Sequence, residues 1–298
     1  MSAAPRLPET SETALPTVRR IADVRAAVAA WRRAALSVGL VPTMGALHAG
    51  HLALLQRSKA ECDRTVASLF VNPTQFNDPK DLRDYPRDEA GDAAMFATAG
   101  TDLLFAPAAE EIYPAGFATR VRVAGLGDCL CGAARPGHME GVATVVAKLL
   151  NQVQPDIAYF GEKDFQQLQI IRRMAADLDL GVTIAGVPTV REPDGLALSS
   201  RNVRLTARQR QAAPALHRAL AAAAAQLAGG ALAAGPVIET ARTAILAAGF
   251  RAVDYLELRA EADLAALERA DRPARLFAAA WLGEVRLIDN VAVASGGA

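Results

Sequence analysis

The chain predicts an α/β fold, a parallel sheet covered by helices and followed by a smaller α+β domain. Three observations lead there. The 298 residues are 52% hydrophobic with 32 basic and 32 acidic side chains, enough apolar material for two cores at ~150 residues per domain. Over the first two-thirds, short apolar runs ending at Gly, Pro or Asn alternate with longer stretches of helical period. Past about Val187 the alternation stops, and an Ala-rich helical stretch precedes closely spaced strand-like runs.

In chain order, the first sixteen residues scatter Pro5, Pro8 and Pro16 among Ser, Thr and Glu, which predicts a disordered tail and no signal peptide. Strands are predicted over 37–43, 65–72, 101–107 and 156–161, and helices over 21–35, 50–61, 88–99, 141–152 and 165–178. Alternating strands and helices make βαβ units, hence a parallel sheet buried on both faces. The domain boundary falls near 187–191, giving units of 17–188 and 189–298. Residues 219–238 carry no charge over a membrane-spanning length. They are mostly Ala, broken by Gly229, Gly230, Gly235 and Pro236, so a helical hairpin fits better than a span. Strand-like runs at 252–259, 275–282 and 285–291 close the chain.

Balanced charge, with a pI near 6.9, argues against a nucleic-acid binder. Three cysteines, Cys62, Cys129 and Cys131, fit reduced thiols of a cytoplasmic protein, and no second pair completes a zinc site. A soluble enzyme acting on small molecules is the expectation.

Five segments could carry chemistry. Residues 41–51, VPTMGALHAGH, leave the first strand through a Gly turn into a helix, placing His48 and His51 on its first turn. Unpartnered N–H groups and the dipole of a helix start favour anions, and both imidazoles could donate to a phosphate. Residues 70–77, FVNPTQFN, bring Asn and Gln amides to the end of the second strand, suited to a hydroxyl or carboxylate. Residues 161–167, GEKDFQQ, repeat the strand–turn–helix pattern. Lys163 is one of four lysines against 28 arginines, so it is less apt to be surface filler. An ordinary helix start capped by Asp164 is the plainer reading there. Residues 197–202, ALSSRN, bring hydroxyls, amides and a guanidinium to the domain junction, where they could close over a phosphate. Arg135-Pro136-Gly137-His138 is a second basic pair entering a helix from Gly141. No GxxxxGK[ST], GxGxxG or GxSxG is present, so P-loop and kinase-type ATP sites have no support.

Residues 42–51 (PTMGALHAGH), 70–76 (FVNPTQF), 135–174 and 194–202 (DGLALSSRN) resemble the pantothenate synthetase family, in the expected order over roughly 20–290. His48-Ala49-Gly50-His51 matches the HxGH signature of the wider nucleotidylyltransferase superfamily, and 198–201 sits where its KMSKS-like loop lies. The resemblance implies a Rossmann-like domain, a smaller C-terminal lid and a homodimer. It implies condensation of ATP, (R)-pantoate and β-alanine to pantothenate, AMP and pyrophosphate through a pantoyl adenylate, with Mg²⁺ accompanying ATP. By matching position, the ATP site would be lined by Met44, Gly45, Ala46, Leu47, His48, Ala49, Gly50 and His51, by Gly161, Glu162, Lys163 and Asp164, by Val190, and by Leu198, Ser199, Ser200 and Arg201. His51 would be the proton donor, His48 and Lys163 would hold phosphates, and Arg201 would add a cation. Gln75 and Gln167 would hold pantoate, Gln75 also lying near β-alanine. Direct metal ligands are not identified, Asp92 being a weak candidate.

This sequence departs from the family in its proline-rich tail, in Met139 where Phe is usual, and in an unusually Ala-rich C-terminal domain. Other readings are a nucleotidylyltransferase using a phosphorylated acceptor, which the paired amides fit less well, and a non-catalytic nucleotide sensor, which would not need the full cationic set. A role like that of an aminoacyl-tRNA synthetase is disfavoured by the missing basic face.

Overall fold

The computed structural model describes residues 15–77 and 79–295. β1 (Thr17–Val18) leads to α1 (Ile21–Arg33), β2 (Val38–Thr43) to α2 (Ala49–Glu61), and β3 (Arg64–Leu69) to the short α3 (Pro79–Arg83) and α4 (Glu89–Thr98). β4 (Leu103–Phe105) is followed by α5 (Ala109–Ile112), α6 (Leu130–Ala134) and α7 (His138–Val153). Then come β5 (Ile157–Gly161), α8 (Phe165–Asp177) and β6 (Thr183–Val187). These strands form one parallel sheet in the order β1-β4-β3-β2-β5-β6.

The period-2 alternation of a strand explains why the sheet is covered on both faces. Leu40, Val66, Phe105 and Phe160 point into the core shared with α1, α7 and α8. Their chain neighbours Val41, Ala67, Leu104 and Tyr159 point the other way, into the core under α2 and α4. Each such large side chain, fully buried, contributes about 1.5–3 kcal/mol.

The C-terminal part contains α9 (Ala207–Ala212), α10 (Ala215–Leu227), α11 (Ala234–Ala247) and the antiparallel sheet β7 (Ala252–Ala260), β8 (Ala274–Leu282) and β9 (Val285–Val293). Leu276, Ala278 and Ala280 of β8 face α10 and α11, while Phe277 and Ala279 face the core of the parallel-sheet unit. The uncharged Ala-rich stretch is a helical hairpin broken at Gly229 and Gly230, whose φ values are 81° and 70°. Among the described residues no helix is long and apolar enough to cross a membrane.

Some expectations are corrected. Residues 1–14 of the expected tail lie outside the described residues, but Pro16 accepts a hydrogen bond from the Leu104 amide at 2.9 Å, and Leu15 packs on the core. β1 and β6 were not predicted. They are edge strands, one only two residues long and the other half-exposed, so neither has an apolar run. The helix expected from Gly141 begins at His138, after Gly137 at φ 83°. Gly141 is therefore inside the helix, where Gly costs about 1 kcal/mol. A Cβ there would lie 2.7 Å from the Thr74 carbonyl carbon and 2.9 Å from the Gln75 nitrogen, so only Gly lets α7 approach the 73–75 turn.

Candidate active site

From β2 the chain winds outward through β3 and β4 on one side, and from β5 through β6 on the other. Strand order thus reverses between β2 and β5, and ligand sites of such sheets lie beyond the carboxyl ends at that point. A cleft of about 630 Å³ opens there, walled by both domains. That volume is in the usual range for a small-molecule site.

The loop after β2 turns through Gly45 at φ 85° and Ala46 at φ 51°, a strained left-handed pair. Asp92 of α4, 4% exposed, holds it by accepting from the Ala46 amide at 3.0 Å and the Leu47 amide at 2.9 Å. Each carboxylate oxygen takes one amide, so Asp92 acts as a clamp on this loop. His48 caps α2: its Nδ1 accepts from the Gly50 amide at 3.1 Å, and the Nδ1 of His51 accepts from the His48 amide at 3.3 Å. Backbone N–H groups only donate, so each neutral ring carries its proton on Nε2. The rings lie 4.1 Å apart. A Cβ on Gly50 would stand 2.8 Å from His48 Cε1, which is why Gly occupies that place. Burial, then the Lys163 charge, lowers the His48 pKa to about 4. Burial, then neighbouring His48, lowers that of His51 to about 3.

Beyond β3, Asn72, 1% exposed, donates to Gln75 Oε1 at 3.0 Å and to the Gly141 carbonyl at 3.1 Å. Gln75 Nε2 points at Met44 Sδ, 2.9 Å away. The Gln75 carbonyl accepts from His138 Nδ1 at 2.8 Å and from Arg135 at 3.3 Å, while Arg135 also donates to His138 Nε2 at 3.2 Å. His138 is therefore the Nδ1–H tautomer, and burial, then Arg135, lowers its pKa to about 4. Among the described residues Arg135 makes no ion pair within 4 Å, and burial, then the charge of Arg201, lowers its pKa. Met139 is buried in the core beside this turn.

After β5, the turn at Glu162–Asp164 puts Lys163 into the cleft, its nearest carboxylate oxygen being that of Asp164 at 3.8 Å. Asp164 stands at the N-terminus of α8 but makes no side-chain cap bond, against the plainer reading. Gln167, on the first turn of α8, lines the same cleft. The last wall is a hairpin in which the Leu198 amide donates to the Val190 carbonyl at 3.0 Å. It leads to Ser199, whose Oγ accepts from the Arg201 amide at 3.2 Å. Arg201 pairs with Asp81 of α3 at 3.1 Å, Arg204 takes the other Asp81 oxygen at 2.9 Å, and Tyr85 reaches Ser200 at 3.4 Å.

Met44, His48, Gly50, His51, Gln75, Gly161, Lys163, Asp164, Gln167, Val190 and 198–201 thus share one cleft. Gly45, Ala46, Leu47, Ala49 and Glu162 do not line it. The Ala46 and Leu47 amides are turned to Asp92, and Glu162 reaches Arg275 at 3.6 Å. Sequence reasoning missed Asp81, whose only signal was its charge, and Asn290, which donates to the Glu162 and Lys163 carbonyls from far along the chain. Cys62, Cys129 and Cys131 are all free. Among the described residues no three His, Cys, Asp or Glu side chains converge to hold a metal.

The family model described as pantoate-beta-alanine ligase matches residues 16–292. A pantothenate synthetase of Chelativorans sp. (strain BNC1) is 58% identical over 280 residues, 94% of this chain and 98% of the relative. A crystal structure of the pantothenate synthetase of Thermus thermophilus is 48% identical, with a TM-score of 0.82 over 94% of this chain and 100% of the other. The pantoate-beta-alanine ligase of Francisella tularensis, solved with beta-gamma ATP and beta-alanine, is 34% identical, with a TM-score of 0.80 over 94% and 98%.

Proposed function

This chain belongs to the pantoate–β-alanine ligase family, and from that premise we propose how its cleft performs the reaction. The protein is an AMP-forming ligase that condenses pantoate with β-alanine, with ATP as a substrate. Its chemistry runs through a pantoyl adenylate. A carboxylate is a poor electrophile, so the pantoate oxygen first attacks the α-phosphorus of ATP and pyrophosphate leaves. The amine of β-alanine then attacks the acyl carbon, and the bridging oxygen departs with AMP.

The observation that carries this reading is the meeting of His48, His51 and Lys163 at the reversal point of the sheet, beside the amides of Gln75 and Gln167. Negative charge gathers on the α-phosphate and pyrophosphate in the first step. Donors fixed in advance at such a place contribute about 3–4 kcal/mol each. His48 and His51 do this as neutral Nε2–H donors, their Nδ1 atoms being spent on the backbone. Burial holds the free His51 ring neutral at pH 7, so it meets the phosphate as an Nε2–H hydrogen-bond donor. Lys163 brings the point charge, and Ser199, Ser200 and Arg201 close from the other wall, Arg201 exchanging Asp81 for phosphate. Gln75 and Gln167 orient the pantoate, and Arg135, which donates to the Gln75 carbonyl, meets the β-alanine carboxylate beside it. Closure of the C-terminal domain keeps water from the adenylate.

Among the described residues no group of three acidic, His or Cys side chains forms a protein cage for Mg²⁺, and Asp92 is engaged by the 46–47 amides. We assign Mg²⁺ to the nucleotide, held by phosphate oxygens and water. The test of the reading is release of AMP and pyrophosphate from ATP with pantoate, with and without β-alanine. Steady turnover that needs both acids, with a new amide, supports it. ATP binding without any response to pantoate removes this acceptor.

A further inference from the structure

Asn290, in β9, is 3% exposed and uses one nitrogen for two bonds: Nδ2 donates to the carbonyl oxygens of Glu162 and Lys163, both at 2.9 Å. Its Oδ1 accepts from Arg275 at 2.6 Å, and its backbone N–H donates to Asp289 at 2.8 Å. Arg275 stacks over the Phe165 ring at 4.0 Å and bonds Glu261 at 3.1 Å. Asp289 in turn holds Arg191 through both oxygens, at 2.7 and 2.9 Å. The carboxamide is thus held by ion-paired Arg275 and its backbone by Asp289, which Arg191 pairs, while its Nδ2 is spent on one turn of the other domain.

Besides Asn290, that turn is tied to the C-terminal sheet through Arg275, which reaches Glu162 at 3.6 Å. It is a single 3₁₀ turn with no side-chain cap at Gly161 or Asp164. The Lys163 stem has several rotatable bonds, and its ammonium lies 3.8 Å from the nearest carboxylate oxygen. The backbone at 162–163 sets where that stem starts, and so which part of the cleft the ammonium can reach. We infer that Asn290 is a positioning residue for Lys163: it fixes the 162–163 carbonyls so that the ammonium enters the cleft between β2 and β5. The phosphate-binding lysine is thereby tied at its backbone to the C-terminal sheet. This rests on the reading that Lys163 meets the ATP phosphates.

The test is a double-mutant cycle on the full-length protein. Asn290→Asp keeps shape and the Arg275 contact but sets an acceptor against two carbonyls. It is combined with Lys163→Ala, and the cycle is read on pantoate-dependent ATP–pyrophosphate exchange and on ATP affinity by titration calorimetry. A displacement near 1 Å predicts about 10–100-fold slower exchange with Lys163 present and under about 2-fold slower without it. The KM for β-alanine stays unchanged. Equal losses in both backgrounds would reduce Asn290 to a structural contact and overturn the inference, as would a folded Asn290→Asp with wild-type exchange. If that variant does not fold, Asn290→Ala goes through the same cycle. The calorimetric cycle needs no pantoate, so a wrong acceptor would silence exchange in the parent protein and still leave the ATP cycle to decide about Asn290.

Discussion

Replacing Asp92 by Asn tests whether the HxGH loop is held from behind by one buried carboxylate. Asp92 is 4% exposed and accepts from two consecutive amides, at 3.0 and 2.9 Å. A hydrogen bond to a charged acceptor contributes about 1.5–3 kcal/mol net. Asn keeps one oxygen for one amide and turns its NH₂ toward the other, donor against donor. One charged bond is lost and one buried amide is left unpaired, so the cost is about 2–4 kcal/mol. The loop that loses its hold is the one at Gly45 and Ala46, whose positive φ values it has little reason to keep alone. Urea unfolding should show the stability loss, and pantoate-dependent ATP–pyrophosphate exchange should fall by about 10-fold or more as the two imidazoles lose their fixed places. A variant within about 0.5 kcal/mol of the parent and with normal exchange would refute the clamp. So would a defect repaired by raising Mg²⁺, which would return Asp92 to the role of metal ligand.

Other outcomes follow from the same geometry. Lys163→Ala should slow adenylate formation by ~10²-fold or more with folding preserved, measured in single turnover. Gln75→Ala should weaken pantoate binding and spare ATP affinity, and titration of both ligands separates this from general damage. Gly141→Ala should cost stability and pantoate affinity together, because its Cβ meets the Thr74 carbonyl and the Gln75 nitrogen; thermal melts and pantoate titration read both. Stability should also fall with acid. His51 and His138 are held neutral, at about 3 and about 4, while the unfolded chain titrates near ~6.5. The unfolded state therefore binds more protons below that pH, and unfolding gains about 2 kcal/mol from each histidine by pH 5. Urea titrations at pH 7 and pH 5 check the sign and the size.

The central strands and long helices were legible because each leaves a local trace: a run of apolar residues between breakers, or an apolar stripe of helical period. The edge strand at Thr183–Val187 leaves none, since one side has no neighbour to bury it against. His48, His51, Lys163 and Gln75 were legible because each sits at a strand end, where a Gly or Pro turn marks the exit from the sheet. What escaped were the partners of those residues. Nothing local in the sequence says that the Asp92 oxygens meet the 46–47 amides. Asn290 lies more than a hundred residues from the carbonyls it holds, and Asp81 is about as far from Arg201. Such pairings belong to the packed fold and have no period or motif. Gly141 was read as a helix start, when its place inside the helix answers the approach of another segment.

The central claim is that pantoate is activated on the α-phosphate of ATP in this cleft. The measurement that tests it most directly is the fate of ¹⁸O in the pantoate carboxylate during turnover with ATP and β-alanine. The account predicts that AMP carries one labelled oxygen for each amide formed, because the bridging oxygen leaves with phosphorus. Amide formation with unlabelled AMP, or with the label in inorganic phosphate, would contradict it.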